Sequence, residues 1–152
     1  MCGIEYLKSL PYVDASRIGV DGWSYGGFMT LSLITTHPEA FRAASCGGPV
    51  VDWKWYEVMY GERYMDTPEG YANASLIGKI KNVNCPLLVM HGCQDHTVVW
   101  QQTLELMRQA VADGIEIEYF PYTAHDHNVM GMERVHLFNK ILRFHNENTK
   151  GE

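Results

Sequence analysis

Gly22-Trp23-Ser24-Tyr25-Gly26 stands between two runs of different character, and that placement decides how the chain is read. Before it, Arg17-Ile18-Gly19-Val20-Asp21 has the make-up of a strand; after it, Phe28-Met29-Thr30-Leu31-Ser32-Leu33-Ile34 suits a helix. A G-x-S-x-G turn between strand and helix holds its serine in a strained backbone conformation, which small neighbours two positions to either side permit. The hydroxyl of Ser24 is then expected to project above the sheet edge. The helix behind it, 25 to 36, aims its amino end at the same point and favours negative charge there. His37-Pro38 ends that helix, because proline cannot donate the next hydrogen bond.

A serine nucleophile needs a base and an acid to orient the base, and in α/β-hydrolases these follow in the order Ser, Asp or Glu, His. Pro86-Leu87-Leu88-Val89-Met90-His91-Gly92 reads as a buried parallel strand, with Asp95 just past its end. Ile115 to Tyr119 is the next strand candidate, and Pro121-Tyr122-Thr123-Ala124-His125-Asp126-His127-Asn128 follows it. Loops at the carboxyl ends of parallel strands gather together, so Ser24, Asp95 and His127 can meet.

Outward from these motifs, strands alternate with helices, which predicts an α/β fold: a parallel sheet of about four strands flanked by helices. A short helix over Gly3 to Leu10 precedes the first strand, and Ala43-Ala44-Ser45-Cys46 forms the second. Trp53 to Tyr64 is expected to be helical, with Tyr56 and Tyr60 on one face. Thr97 is positioned to cap a helix reaching Ala112, whose Trp100, Leu104, Met107 and Val111 form an apolar stripe. A last helix from Met132 to Asn146 is expected to turn Val135, Phe138, Ile141 and Leu142 inward.

Several separated motifs resemble one family. Gly22-Trp23-Ser24-Tyr25-Gly26-Gly27, Tyr56-x-x-x-Tyr60 with Glu62-Arg63-Tyr64, His91-Gly92-x-x-Asp95 and Asp126-His127 look like the prolyl oligopeptidase family of serine peptidases, in its dipeptidyl peptidase IV branch. His127-Asn128-Val129-Met130-Gly131 resembles the bacterial prolyl tripeptidyl peptidases of that branch. The resemblance implies that Ser24 is the nucleophile, Asp95 the orienting acid and His127 the general base, with the Tyr25 backbone N–H in the oxyanion hole. It implies a peptide substrate whose proline enters an aromatic box formed by Val50, Trp53, Tyr56, Tyr60 and Val98. Thr97 replaces an asparagine that in some members contacts a substrate carbonyl. No metal or organic cofactor is implied, and the compartment implied is periplasmic or extracellular.

Members of the family are far longer, with a β-propeller that binds the substrate's amino group and early hydrolase strands that add a tyrosine hydroxyl to the oxyanion hole. About sixteen residues precede the first strand here, so 1–152 is expected to be the C-terminal portion of an α/β-hydrolase catalytic domain. The chain thus admits two functional readings: a serine peptidase cleaving after proline near peptide N-termini, or a non-catalytic fragment of one. A third, within the fold, is an esterase or acylaminoacyl peptidase. An unpaired edge at the first strand invites a second copy, which predicts a dimer or larger assembly. Glu57, beside Tyr56, is a candidate for the substrate's amino group; a solvated helix face is its other reading.

Composition is consistent with a globular piece: 152 residues, 46% hydrophobic. A net charge of −6 without a basic run argues against nucleic acid as a partner, and no apolar stretch reaches spanning length. His91 is read as ending a buried strand, His96 as solvated and His125 as a surface residue; His125 and His127 lack the third ligand a metal would need. Cys46 and Cys93 fall near neighbouring strand ends, where a disulfide is conceivable, although buried free thiols fit cysteine's usual behaviour better.

Overall fold

The computed structural model of the chain describes residues 1–150. Four parallel strands form one sheet in the order β1-β2-β3-β4: Gly19–Trp23, Ala43–Gly47, Leu87–Gly92 and Glu118–Tyr122. Helices α1 (Cys2–Lys8), α2 (Tyr25–Thr36), α3 (Val58–Tyr64), α4 (Pro68–Ala74), α5 (Gln101–Asp113) and α6 (Gly131–Asn148) complete the described elements, with 3₁₀ turns at Trp53–Trp55 and Ile77–Asn82. The central strands β2 and β3 are buried along their whole length, as strands covered on both faces must be. One core fills the side of α2 and α5 around Leu31, Ile34, Val89 and Leu106; the other lies under α6 around Leu88, Met90, Leu137 and Phe144.

The outer strands start later than their apolar residues suggest. β1 begins at Gly19 rather than Arg17, and β4 at Glu118 rather than Ile115. Pro121 is tolerated inside β4 because that strand has a single neighbour, pairing His91 of β3, so the missing N–H costs no ladder bond. The stretch expected as one helix from Trp53 to Tyr64 is a 3₁₀ turn and a separate helix, interrupted where Tyr56 and Glu57 adopt extended backbone. α4 was not foreseen; its signals are local, Thr67 accepting from the Gly70 N–H and Pro68 opening the first turn.

Helix phase departs further from the sequence pattern. In α5 the buried residues are Gln102, Thr103, Leu106 and Ala110, whereas Leu104 and Val111 of the expected stripe face solvent. The polar pair goes inward because partners wait for it. Gln102 Oε1 accepts the Val51 and Asp52 N–H groups at 2.9 Å each, and Gln102 Nε2 donates to the Asp52 carbonyl at 3.1 Å. Thr97 does not cap α5, whose N-cap is Trp100. In α6, Leu137, Ile141 and Phe144 are buried, while Val135, Phe138 and Leu142, expected inside, are half exposed or more.

The conceivable disulfide is excluded by register. Cys46 lies opposite Val89, and Cys93 is four residues further on, about 13 Å along the strand direction, beyond the reach of a disulfide. All four cysteines are free. No helix among the described residues is long and apolar enough to cross a membrane.

Candidate active site

Ser24 occupies the junction of β1 and α2 with φ 60° and ψ −118°, a conformation that costs energy for any residue with a Cβ. Its N–H donates to the Gly47 carbonyl at 2.8 Å, which fastens the turn to β2. The need for a small neighbour falls on one side only. A Cβ added at Gly22 would lie 2.2 Å from the Gly26 carbonyl oxygen, whereas one at Gly26 would meet nothing within 4 Å. Tyr25 is the first residue of α2, so its N–H has no acceptor within the helix, and the Ser24 hydroxyl does not cap that end.

Asp95 and His127 lie on the loops after β3 and β4, at the same end of the sheet as Ser24. The two loops cross tightly: a Cβ at Gly92 would stand 2.2 Å from the Asp126 carbonyl oxygen. Backbone bonds tie them, Cys93 N–H to the Tyr122 carbonyl at 3.0 Å and Gln94 N–H to the His125 carbonyl at 2.9 Å. Asp126 adds a clasp, since its Oδ1 accepts the N–H of His96 at 3.0 Å and of His127 at 2.7 Å; these bonds hold its carboxyl below the usual carboxylate range. From the other side, Trp23 Nε1 donates to the His127 carbonyl at 2.9 Å, linking the loop after β4 to the residue before Ser24.

Within this frame His127 Nδ1 lies 2.7 Å from Asp95 Oδ2. The Asp95 side chain is fully buried, and its other oxygen accepts the Thr97 and Val98 N–H groups at 2.8 Å each. Burial alone would push the Asp95 carboxyl up; hydrogen bonds from His91, His127 and Val98 outweigh it and hold the group below its ordinary value. No hydrogen bond joins Ser24 Oγ to His127 among the described residues, and such bonds commonly tighten only when substrate is bound.

Beside the serine lies an aromatic cluster. Trp53 is nearly fully buried and stacks on Tyr60, with centroids 4.8 Å apart and an 8° interplanar angle, while Tyr56 meets both edge-on at 5.5 and 5.6 Å. The Tyr25 ring lies 6.3 Å from Trp53, so the residue after Ser24 joins the cluster directly. An open cavity of about 460 Å³ is lined by Tyr25, Phe28, Trp53, Tyr60, Tyr64, Met65 and Ala74. Val50 and Val98 are buried against Trp53, and Tyr56 packs on the same group, so these three back the cavity without lining it.

Some site residues escaped the sequence reading. Phe28 lies in the helical run yet meets Trp53 edge-on at 5.1 Å, and Gln102 holds the backbone that carries Trp53. Glu57 and Thr97 are exposed, as is His96. His125, expected on the surface, is half-buried against the Tyr122 ring at 6.0 Å. Neither His125 nor His127 belongs to a group of three potential metal ligands among the described residues.

Comparison with known proteins agrees with this arrangement. The model of the prolyl oligopeptidase family matches residues 1–152. A curated relative from Neosartorya fischeri, named a probable dipeptidyl peptidase 4, is 41% identical over 134 residues, covering 82% of this chain and 18% of its own length. Among solved structures, a Bacteroides ovatus protein described as a "putative dipeptidyl aminopeptidase IV" is 48% identical with a TM-score of 0.93, over 97% of this chain and 21% of that one. Porphyromonas gingivalis dipeptidyl peptidase 4 is 33% identical with a TM-score of 0.89, over 95% of this chain and 21% of its own. This chain therefore spans about a fifth of the relatives it matches. With a serine at a strained strand-to-helix turn, a buried carboxylate on a histidine and an aromatic cavity alongside, the chain belongs to the prolyl oligopeptidase family, in its dipeptidyl peptidase IV branch.

Proposed function

We propose that this chain carries the chemistry of a serine peptidase that removes short N-terminal peptides ending in proline, as the C-terminal portion of a longer catalytic domain. The observation that carries the reading is the 2.7 Å contact between His127 Nδ1 and buried Asp95 Oδ2, on loops beside the Ser24 turn. Ser24 Oγ attacks the carbonyl carbon of the proline residue itself, and His127 Nε2 takes its proton. Asp95 keeps the imidazole in the tautomer with hydrogen on Nδ1 and stabilises the cation that forms. The Tyr25 N–H, at the amino end of α2, donates to the oxyanion. His127 then passes the proton to the leaving amine, and water releases the acyl group by the reverse sequence.

The cavity between Tyr25, Phe28, Trp53 and Tyr60 suits a proline ring, which is rigid and loses little entropy when stacked among aromatics. Val50, Tyr56 and Val98 support its walls, and Glu57 takes the substrate's free amino group, the role tested below. The shape of this cavity is what favours a prolyl substrate over the simple acyl ester of an esterase.

A fluorophosphonate probe tests the reading on this chain. Expected is covalent labelling at Ser24 that Asp95→Asn slows by about four orders of magnitude, the cost of a misoriented imidazole. Absent labelling in a folded chain assigns this polypeptide to the non-catalytic reading. Equal turnover of prolyl amides and small acyl esters excludes proline specificity.

A further inference from the structure

His91 is the only fully buried histidine among the described residues, and its ring is held on both nitrogens. Nδ1 lies 2.7 Å from Thr103 Oγ1 on α5. Nε2 lies 2.8 Å from the Val98 carbonyl oxygen and 3.2 Å from Asp95 Oδ2. A carbonyl can only accept, so Nε2 carries a hydrogen; in the neutral ring Nδ1 is then the acceptor and the Thr103 hydroxyl donates to it. The Nε2 hydrogen is shared between the Val98 carbonyl and the carboxylate.

The consequence is a full set of four donors on Asp95. Oδ1 takes the Thr97 and Val98 N–H groups, and Oδ2 takes His127 and His91. A carboxylate free to rotate would move Oδ2 away from His127; with donors on both oxygens, His91 on Oδ2 among them, that rotation breaks bonds at each. The second histidine also draws charge from the oxygen that faces His127. The connection runs from Thr103 in α5 through His91 at the end of β3, so the helix packing behind the sheet bears on the imidazole at the surface.

Resting on the function proposed above, we propose that His91, oriented by Thr103, is a positioning residue: it holds Asp95 Oδ2 in line with His127 Nδ1 and so selects the tautomer of His127 that can act as base. His91 touches no substrate, since its side chain is sealed inside the sheet.

The test uses the full chain with ¹⁵N-labelled histidine, reading the His127 tautomer by NMR at pH 8 beside the rate of Ser24 labelling. Expected in the unaltered chain is hydrogen on Nδ1 of His127 and on Nε2 of His91. His91→Phe is expected to move His127 toward the Nε2-protonated tautomer that free imidazole side chains favour, and to slow the maximal labelling rate about tenfold, the loss of one hydrogen bond to a charged group, with probe affinity unchanged. His91→Gln, which keeps a donor near the Nε2 position, is expected to restore both. Thr103→Val weakens the same effect and serves should His91→Phe not fold. A His127 tautomer unchanged by His91→Phe or Thr103→Val, or not restored by glutamine, overturns the proposal. A chain in which Ser24 never labels but the tautomer shifts as described keeps the coupling and removes the peptidase reading, so the two failures are distinct.

Discussion

Gly22 and Gly26 look equivalent in the G-x-S-x-G pattern, yet they do different work. At Gly22 a methyl group would collide with the Gly26 carbonyl, and backbone cannot yield as a side chain can. Gly22→Ala is accordingly expected to cost about 3 kcal/mol in urea unfolding, whereas Gly26→Ala is expected to cost less than about 1 kcal/mol. Equal midpoints for the two variants would contradict the asymmetry. Glu57, exposed and extended beside Tyr56, belongs to the same scale. If it holds the substrate's amino group, Glu57→Gln in the longer protein lowers the preference for free over blocked N-termini, measured as a ratio of kcat/KM values. An unchanged ratio assigns Glu57 to a solvated face.

Among elements, the join of α6 to the sheet rests on a polar line as well as on apolar packing. Asp21 of β1 accepts from the Ser45 hydroxyl of β2, and Ser45 Oγ is 2.9 Å from His145 Nε2 of α6. Gly19 makes room for the ring, since a Cβ there would lie 2.6 Å from His145 Nδ1. Burial lowers the His145 pKa below 6.5, and the opposing pull of Asp21, the acid that faces it from β1, does not restore it. The unfolded chain thus takes up a proton that the folded chain resists. The contribution is complete above about pH 6.5 and is lost as pH falls below it. His145→Gln is expected to flatten the decline in urea midpoint between pH 7.5 and 5.5; an unaltered slope would show that His145 is not its source. Asp95, held below its ordinary value, adds a second loss at lower pH, which begins where the unfolded chain's carboxyl takes up its proton, near 3.8, and is complete once the folded carboxyl protonates below that.

For the whole molecule, the sheet edges and one helix face lack partners among the described residues. β1 pairs only with β2 and β4 only with β3, and α6 presents Val135, Phe138 and Leu142 outward. Open edges and apolar faces are usually covered, which predicts a dimer or larger assembly in solution. Light scattering behind size-exclusion chromatography checks this, with a monomer at tens of micromolar as the contrary result. Phe138→Glu with Leu142→Glu is expected to shift the assembly toward monomer with little change in Tm if the helix face is the contact.

Much of this was legible before the fold. The placement of Ser24, Asp95 and His127 at one end of the sheet follows from a local motif, chain order and the geometry of parallel strands, which are properties of short segments. Four strands could be counted because β2 and β3 are runs of mainly small and apolar residues, and only the boundaries of β1 and β4 moved. Helix faces were only partly legible: Ile141 of α6 turns inward as expected while Val135, Phe138 and Leu142 do not, and α5 is misphased because Gln102 and Thr103 enter the interior only where acceptors and donors from distant segments meet them. The same reason hid His91. By itself the sequence determined the strained turn at Ser24, the order in which Asp95 and His127 follow it and the family the chain belongs to, since local backbone strain and strand periodicity are written in neighbouring residues. Which side chains stand behind Asp95, which glycine is indispensable and which face of each helix is wet were decided only by tertiary structure, because burial and hydrogen-bond satisfaction depend on groups far apart in the chain.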